Sequence, residues 1–117
     1  MREKRIGGIM KRNKNLPLTE TVYYILLALT EPTHGYILMQ KVEELSDGQV
    51  RIAAGTMYGA IEHLLKKGLI ISVPSDDVRR KVYAISKDGE DVLRLDYQRM
   101  HHMIKITDEV LHKGVPE

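Results

Sequence analysis

Apolar residues recur at helical spacing through the first half of the chain. Between Leu18 and Thr30, the residues Val22, Ile25, Leu26 and Leu29 share one face of an amphipathic helix. Pro17 fixes the chain just before this segment, and Thr19 suits its N-cap. Glu31-Pro32 stops it, because proline disfavours helical geometry in the residue before it. Thr33 is placed to cap a second helix running to about Leu45, with Tyr36, Ile37, Met39, Val42 and Leu45 as its apolar positions. Ser46-Asp47-Gly48 reads as a turn and Val50-Arg51-Ile52 as a short extended piece. A third helix follows Ala53-Ala54-Gly55-Thr56 and runs through Lys67, with Met57, Ala60, Ile61, Leu64 and Leu65 as its buried stripe. Gly68 stands where a left-handed residue would close it.

The pattern then changes. Leu69 to Val73 is rich in β-branched residues, Pro74-Ser75-Asp76-Asp77 is a turn, and Val78 to Ile85 is a second strand. Together they predict a hairpin with Arg79, Arg80 and Lys81 near its tip. Ser86 caps a last helix whose first turn holds Asp88, Glu90 and Asp91, where the helix dipole favours acids. That helix extends to Lys113, roughly 40 Å at 1.5 Å per residue. Leu93, Tyr97, Met100, Ile104, Thr107 and Leu111 follow one another at spacings of 4, 3, 4, 3 and 4, a heptad seam with one polar member. Val92, Met103, Ile106 and Val110 widen the stripe. So long an apolar rod predicts a partner, and a second copy of the chain in a two-fold dimer is the expected one. The competing arrangement packs the seam back on the first helix.

Three short helices, a basic hairpin and a long helix are the plan of a winged helix-turn-helix with a C-terminal dimerisation helix. The fold class is mainly α with a small β-hairpin (α+β). The chain divides into a basic N-terminal arm (1–15), a winged helix-turn-helix DNA-binding domain (16–86), and a dimerisation helix and tail (87–117). In such a fold the third helix enters the major groove, where side chains can read base edges. Thr56 and Tyr58 face outward near its N-terminus, and His63, Lys66 and Lys67 continue the polar face. Arg79, Arg80 and Lys81 would lie on a phosphate track or reach the minor groove. Taken singly, each of these is also readable as a solvated surface group.

Composition narrows the picture. The chain has 117 residues, room for one domain, and its 43% hydrophobic and 29% charged residues exclude disorder for its bulk. Phe and Trp are absent, so aliphatic residues, Met and six Tyr must fill a small core. Cys is absent, which removes disulfides, thiolate nucleophiles and Cys-ligated metals. No apolar run approaches the ~18 residues of a membrane span. The N-terminus lacks the apolar stretch of a signal peptide, and a cytoplasmic location is expected. Within a net charge of +2, residues 1–15 hold six bases against Glu3, a local +5 that leaves −3 for the remainder. That asymmetry admits an arm meeting a polyanion or a solvated tail.

An enzyme would need converging groups that the sequence does not offer. Ser72 or Thr56 with His34 or His63 sits in no nucleophile motif, and Gly7-Gly8 is not a phosphate loop. His101 and His102 are adjacent and point about 100° apart on a helix, so they form no metal pair. Neither His102 with Glu109 nor His101 with Lys105 completes a ligand set.

Four segments in order carry a resemblance. They are His34-Gly35-Tyr36, then Gly55-Thr56-Met57-Tyr58, then Gly68-Leu69-Ile70, then Arg79-Arg80-Lys81-Val82-Tyr83-Ala84-Ile85-Ser86 with Gly89. This series resembles the PadR family of bacterial transcriptional regulators, whose usual pattern runs HGY, GTLYPAL, GLI and R-R-K-Y-Y-x-L-T-x-x-G. The match spans residue 18 to about 90, and the single C-terminal helix is similar to the smaller subfamily that dimerises through it. The resemblance implies a role in DNA binding for Tyr36 and Tyr58, whereas on its own pattern Tyr36 is a half-buried helix residue with its hydroxyl bonded. Gly59 stands where the family often has Pro, and Val82 where it often has Tyr. Gly59 either lets the third helix adjust on DNA or reflects tight packing.

The function implied is a sequence-specific DNA-binding regulator. It would be a repressor working as a homodimer on a palindromic operator and released by a small hydrophobic or aromatic effector. The alternative is a winged-helix module that binds protein and not DNA. Some small members hold flat aromatic drugs between paired Trp residues at the dimer centre. With no Trp, Tyr97, Met100 and Ile104 would have to line any such apolar cleft, residues whose ordinary work is core packing.

Overall fold

Thr19 caps the first helix as its sequence predicts. In the computed structural model, which describes residues 13–77 and 79–112, its hydroxyl accepts from the Val22 N–H at 3.1 Å. The helix, α1 (Glu20–Ala28), buries Ile25, Leu26 and Ala28. Thr33 does not cap the second helix. With His34 it forms a two-residue strand, β1 (Thr33–His34), and α2 begins directly after it (Gly35–Leu45). The helical pattern there is partly shifted from expectation: Val42 is buried and Met39 half-buried as the pattern has it, but Leu38 is buried too, while Tyr36, Ile37 and Leu45 face outward.

Two helices end on the same device. After α2, the Gly48 N–H reaches the Glu43 carbonyl at 2.8 Å and the Asp47 N–H reaches the Glu44 carbonyl at 3.1 Å. This is a Schellman closure, and Asp47 takes the left-handed position with φ 52°. Ser46, buried below it, accepts from the Val50 N–H at 2.9 Å. Val50 to Ile52 is an irregular connector and not a strand. After α3 (Ala54–Lys66), Leu69 and Gly68 bond back to Leu64 and Leu65 in the same pattern, with Gly68 at φ 75°. The buried Leu64 and Leu69 supply the apolar contact that accompanies this motif.

Strands β2 (Ile70–Val73) and β3 (Val82–Ile85) pair antiparallel, with Ile70 opposite Ile85 and Val73 opposite Val82. The second strand therefore starts at Val82, later than the pattern suggests; Val78 lies outside the described residues. β1 adds to the other edge of β3, Thr33 opposite Tyr83 and His34 opposite Val82. The expected hairpin is thus a three-stranded sheet in the order β1-β3-β2, and β1 ties the wing to the start of α2.

The last helix, α4 (Lys87–Leu111), opens with Ser86, whose hydroxyl accepts from the Gly89 N–H at 3.0 Å. Its first turns join the core through Val92 and Leu93. Leu93, expected at the head of the dimer seam, is 8% exposed and belongs to the subunit's own core. Burial ends at Asp96, 1% exposed, which accepts from the Arg99 guanidinium at 2.6 Å. The second carboxylate oxygen of Asp96 is buried and unpartnered among the described residues. Beyond it only Arg99 and Met100 are half-buried, and every residue from His101 to His112 is exposed. The expected extension to Lys113 and most of the basic arm, residues 1–12, lie outside the described residues.

Candidate nucleic-acid interface

Three elements converge on one cleft. His34, which ends β1, leads into the first turn of α2 with Gly35, Tyr36 and Ile37, α3 supplies Tyr58, and the wing supplies Arg79, Arg80, Lys81 and Tyr83. The cleft holds about 700 Å³. Five residues assigned to DNA from sequence, Tyr36, Tyr58, Arg79, Arg80 and Lys81, therefore meet in one place. Tyr36 is 64% exposed, so its expected half-buried position is not found; it stands at the mouth of the cleft.

The contact that brings α2 and α3 together here is specific. A Cβ on Gly35 would lie 2.8 Å from Tyr58 Cε1 and 2.9 Å from the Tyr58 hydroxyl. The Tyr58 ring thus rests on the bare backbone of Gly35, and only glycine leaves room for it. A second contact works the same way under the wing. A Cβ on Gly89 would meet the Leu69 carbonyl, and the Ser86 hydroxyl donates to the Gly68 carbonyl at 2.6 Å. Two pairs of separated sequence motifs are therefore physical neighbours.

Tyr83 was not singled out from sequence, yet it is buried and lines the cleft. Burial, and next the neighbouring Tyr58, push its hydroxyl above the ordinary value of 10.0, so it stays a proton donor. Strict alternation along β3 would have found it, since Tyr83 points opposite to Val82 and Ala84. At the wing tip, Arg79 and Arg80 lie 3.5 Å and 3.9 Å from Asp77.

Thr56, Gly59 and His63 do not line this cleft. They lie on the outward face of α3, all exposed, at the three- and four-residue spacing of one helical face. Nothing lies within 4 Å of a Cβ built on Gly59, so tight packing does not explain that residue. The face is open and has a low profile, and Glu62 shares it.

The seam residues sit apart from the cleft, on the far part of α4. Tyr97, Ile104 and Leu111 are exposed and seven residues apart, and Met100 is half-buried between them. Where α4 leaves the body, Tyr23 is held above its ordinary value by burial first and by the charge of Asp96 second.

This arrangement has counterparts among known proteins. The sequence pattern of the transcriptional regulator PadR-like family matches residues 23–95, more than half of the chain. The chain belongs to the PadR-like family. PadR-like proteins are transcriptional regulators, which is therefore the broad role of this chain, and not catalysis. The match runs from within α1 to the first turns of α4 and stops just before Asp96, where burial ends. A PadR family transcriptional regulator from Eggerthella lenta is 28% identical, with a TM-score of 0.63 over 80% of this chain and 84% of that one. A PadR family transcription regulator from Clostridium difficile is 27% identical, with a TM-score of 0.60 over 76% of this chain and 97% of that one. RosR from H. salinarum shares the fold at 22% identity and a TM-score of 0.62, over 83% of this chain and 97% of that one. Among curated proteins, none matches the sequence. Among the described residues, no helix is long and apolar enough to cross a membrane.

Proposed function

We propose that this PadR-like protein binds double-stranded DNA in a sequence-specific manner, as a homodimer on a palindromic operator. It acts as a repressor, and a small hydrophobic or aromatic effector releases it. The observation that carries this reading is the cleft, where Tyr36, Tyr58, Arg79, Arg80 and Lys81 come together from three elements. Three cations beside tyrosine hydroxyl donors suit phosphate oxygens, which position a protein on a duplex. The open face of α3, with Thr56, Gly59 and His63, suits the floor of a major groove. A two-fold pair of such faces reads two half-sites related by symmetry, hence the palindrome. Tyr97, Met100, Ile104 and Leu111 form the pairing face; Leu93 supports it from within the subunit. Release requires an effector that binds the free dimer and the DNA-bound dimer with different affinities.

The test is binding of Arg79→Ala/Lys81→Ala to a fragment from upstream of the protein's own gene, titrated against salt. Each phosphate contact adds about 0.9 to the slope of log affinity against log salt. Losing two contacts per subunit should weaken binding to every duplex and flatten that slope by roughly two per subunit. Unchanged affinity and slope would refute the assignment and favour a winged helix that binds protein.

A further inference from the structure

The wing tip carries charges that a surface for phosphates has no evident need of. Asp76 and Asp77 stand just before Arg79, Arg80 and Lys81 in the same short turn. Asp77 organises that turn. Its Oδ1 accepts from the Arg79 backbone N–H at 2.9 Å, and its own N–H donates to the Ser75 hydroxyl at 3.2 Å. The same Oδ1 lies 3.5 Å from Arg79 Nε, and Oδ2 lies 3.9 Å from Arg80 Nε. One carboxylate thus fixes the backbone and draws both guanidinium groups. The two arginine side chains are 88% and 69% exposed, so these pairs are solvated and loosely held.

A carboxylate offers an arginine much the same pair of oxygens as a phosphate does. We propose that Asp77 is an internal stand-in for a DNA phosphate. In the free protein it occupies Arg79 and Arg80, and a duplex must displace it before the wing can engage. Asp77 therefore limits the sequence-independent affinity of the wing and leaves recognition to the bases. The long distances fit this role, since a tight bridge would lock the arginines away while loose pairs exchange readily. The inference rests on the reading of the cleft as a DNA-binding face.

Asp77→Asn separates the two jobs of the side chain. The amide oxygen still accepts from the Arg79 N–H, while the charge is gone. The probes are a random-sequence duplex and a fragment from upstream of the protein's own gene. We expect Asn to bind both more tightly at low salt, by roughly threefold per wing, the scale of an exposed ion pair. The gain should be equal on the two probes and should vanish at high salt, where such pairs are screened. Asp77→Glu, which keeps the charge, should behave as the wild type. Unchanged or weaker binding by a folded Asp77→Asn protein, or a gain confined to one probe, would overturn the proposal. If Arg79→Ala/Lys81→Ala loses affinity while Asp77→Asn gains none, this proposal fails alone. If the wild-type chain binds neither probe, the DNA reading fails and this one with it.

Discussion

Gly35 shows how much one missing side chain can do. It gives up a Cβ so that the Tyr58 ring can lie against its backbone, which keeps Tyr58 in the cleft that the wing cations also line. Tyr58 is about half exposed, so a methyl group at position 35 would push the ring aside and leave the core intact. Gly35→Ala should therefore cost only about 1 kcal/mol of stability, the scale of an off-rotamer side chain. Its larger effect should be weaker duplex binding, equal to that of Tyr58→Ala. The double variant should be no worse than either single one, because both remove the same contact. Additive losses in a binding titration would show that the two residues act separately. The motif that holds Gly35 was legible in the sequence. Its partner was not, because a contact between residues 23 positions apart leaves no local pattern.

At the level of elements, helix ends were the most legible part of the fold. Thr19, Gly68 and Ser86 stand where the capping chemistry of their side chains or backbones placed them. β1 was not legible: two residues are too few to show a period, and Thr33 has the chemistry of a helix cap as well as of a strand. Its pairing with β3 is a tertiary decision. The same limit hid the rotation of α2, where Tyr36, Ile37 and Leu45 look inward by composition but Leu38 joins the expected Val42 in the core. Gly59 offers a test at this scale. It lies inside α3 with open space around it, so Gly59→Ala should stabilise the protein by about 1 kcal/mol, seen as a higher denaturation midpoint. If glycine is there to let α3 adjust on DNA, the same variant should bind its duplex more weakly; if not, affinity should be unchanged. A loss of stability would contradict the open surroundings.

For the whole molecule, α4 is the decisive element, half inside the body and half outside it. The apolar stripe of α4 was legible as a heptad pattern, but not where it passes from buried to exposed, since Leu93 and Tyr97 look alike in sequence. Packing against α1 separates them, 8% exposed against 58%. Ile104 and Leu111 are 61% and 67% exposed, so charges there cannot disturb the subunit core. Ile104→Glu/Leu111→Glu should give a folded monomer by sizing chromatography with an unchanged circular dichroism spectrum. A dimer that persists would place the pairing face elsewhere. The point where α4 leaves the body also sets a lever. From Asp96 to Leu111 the helix runs roughly 22 Å, so a tilt of about 10° at Asp96 swings its end by about 4 Å. One base-pair step along a duplex strand is about 3.4 Å. In a pair joined along this helix, the spacing of the two reading heads would follow the angle at which α4 leaves the body, with about 10° at Asp96 worth about one base-pair step at the far end.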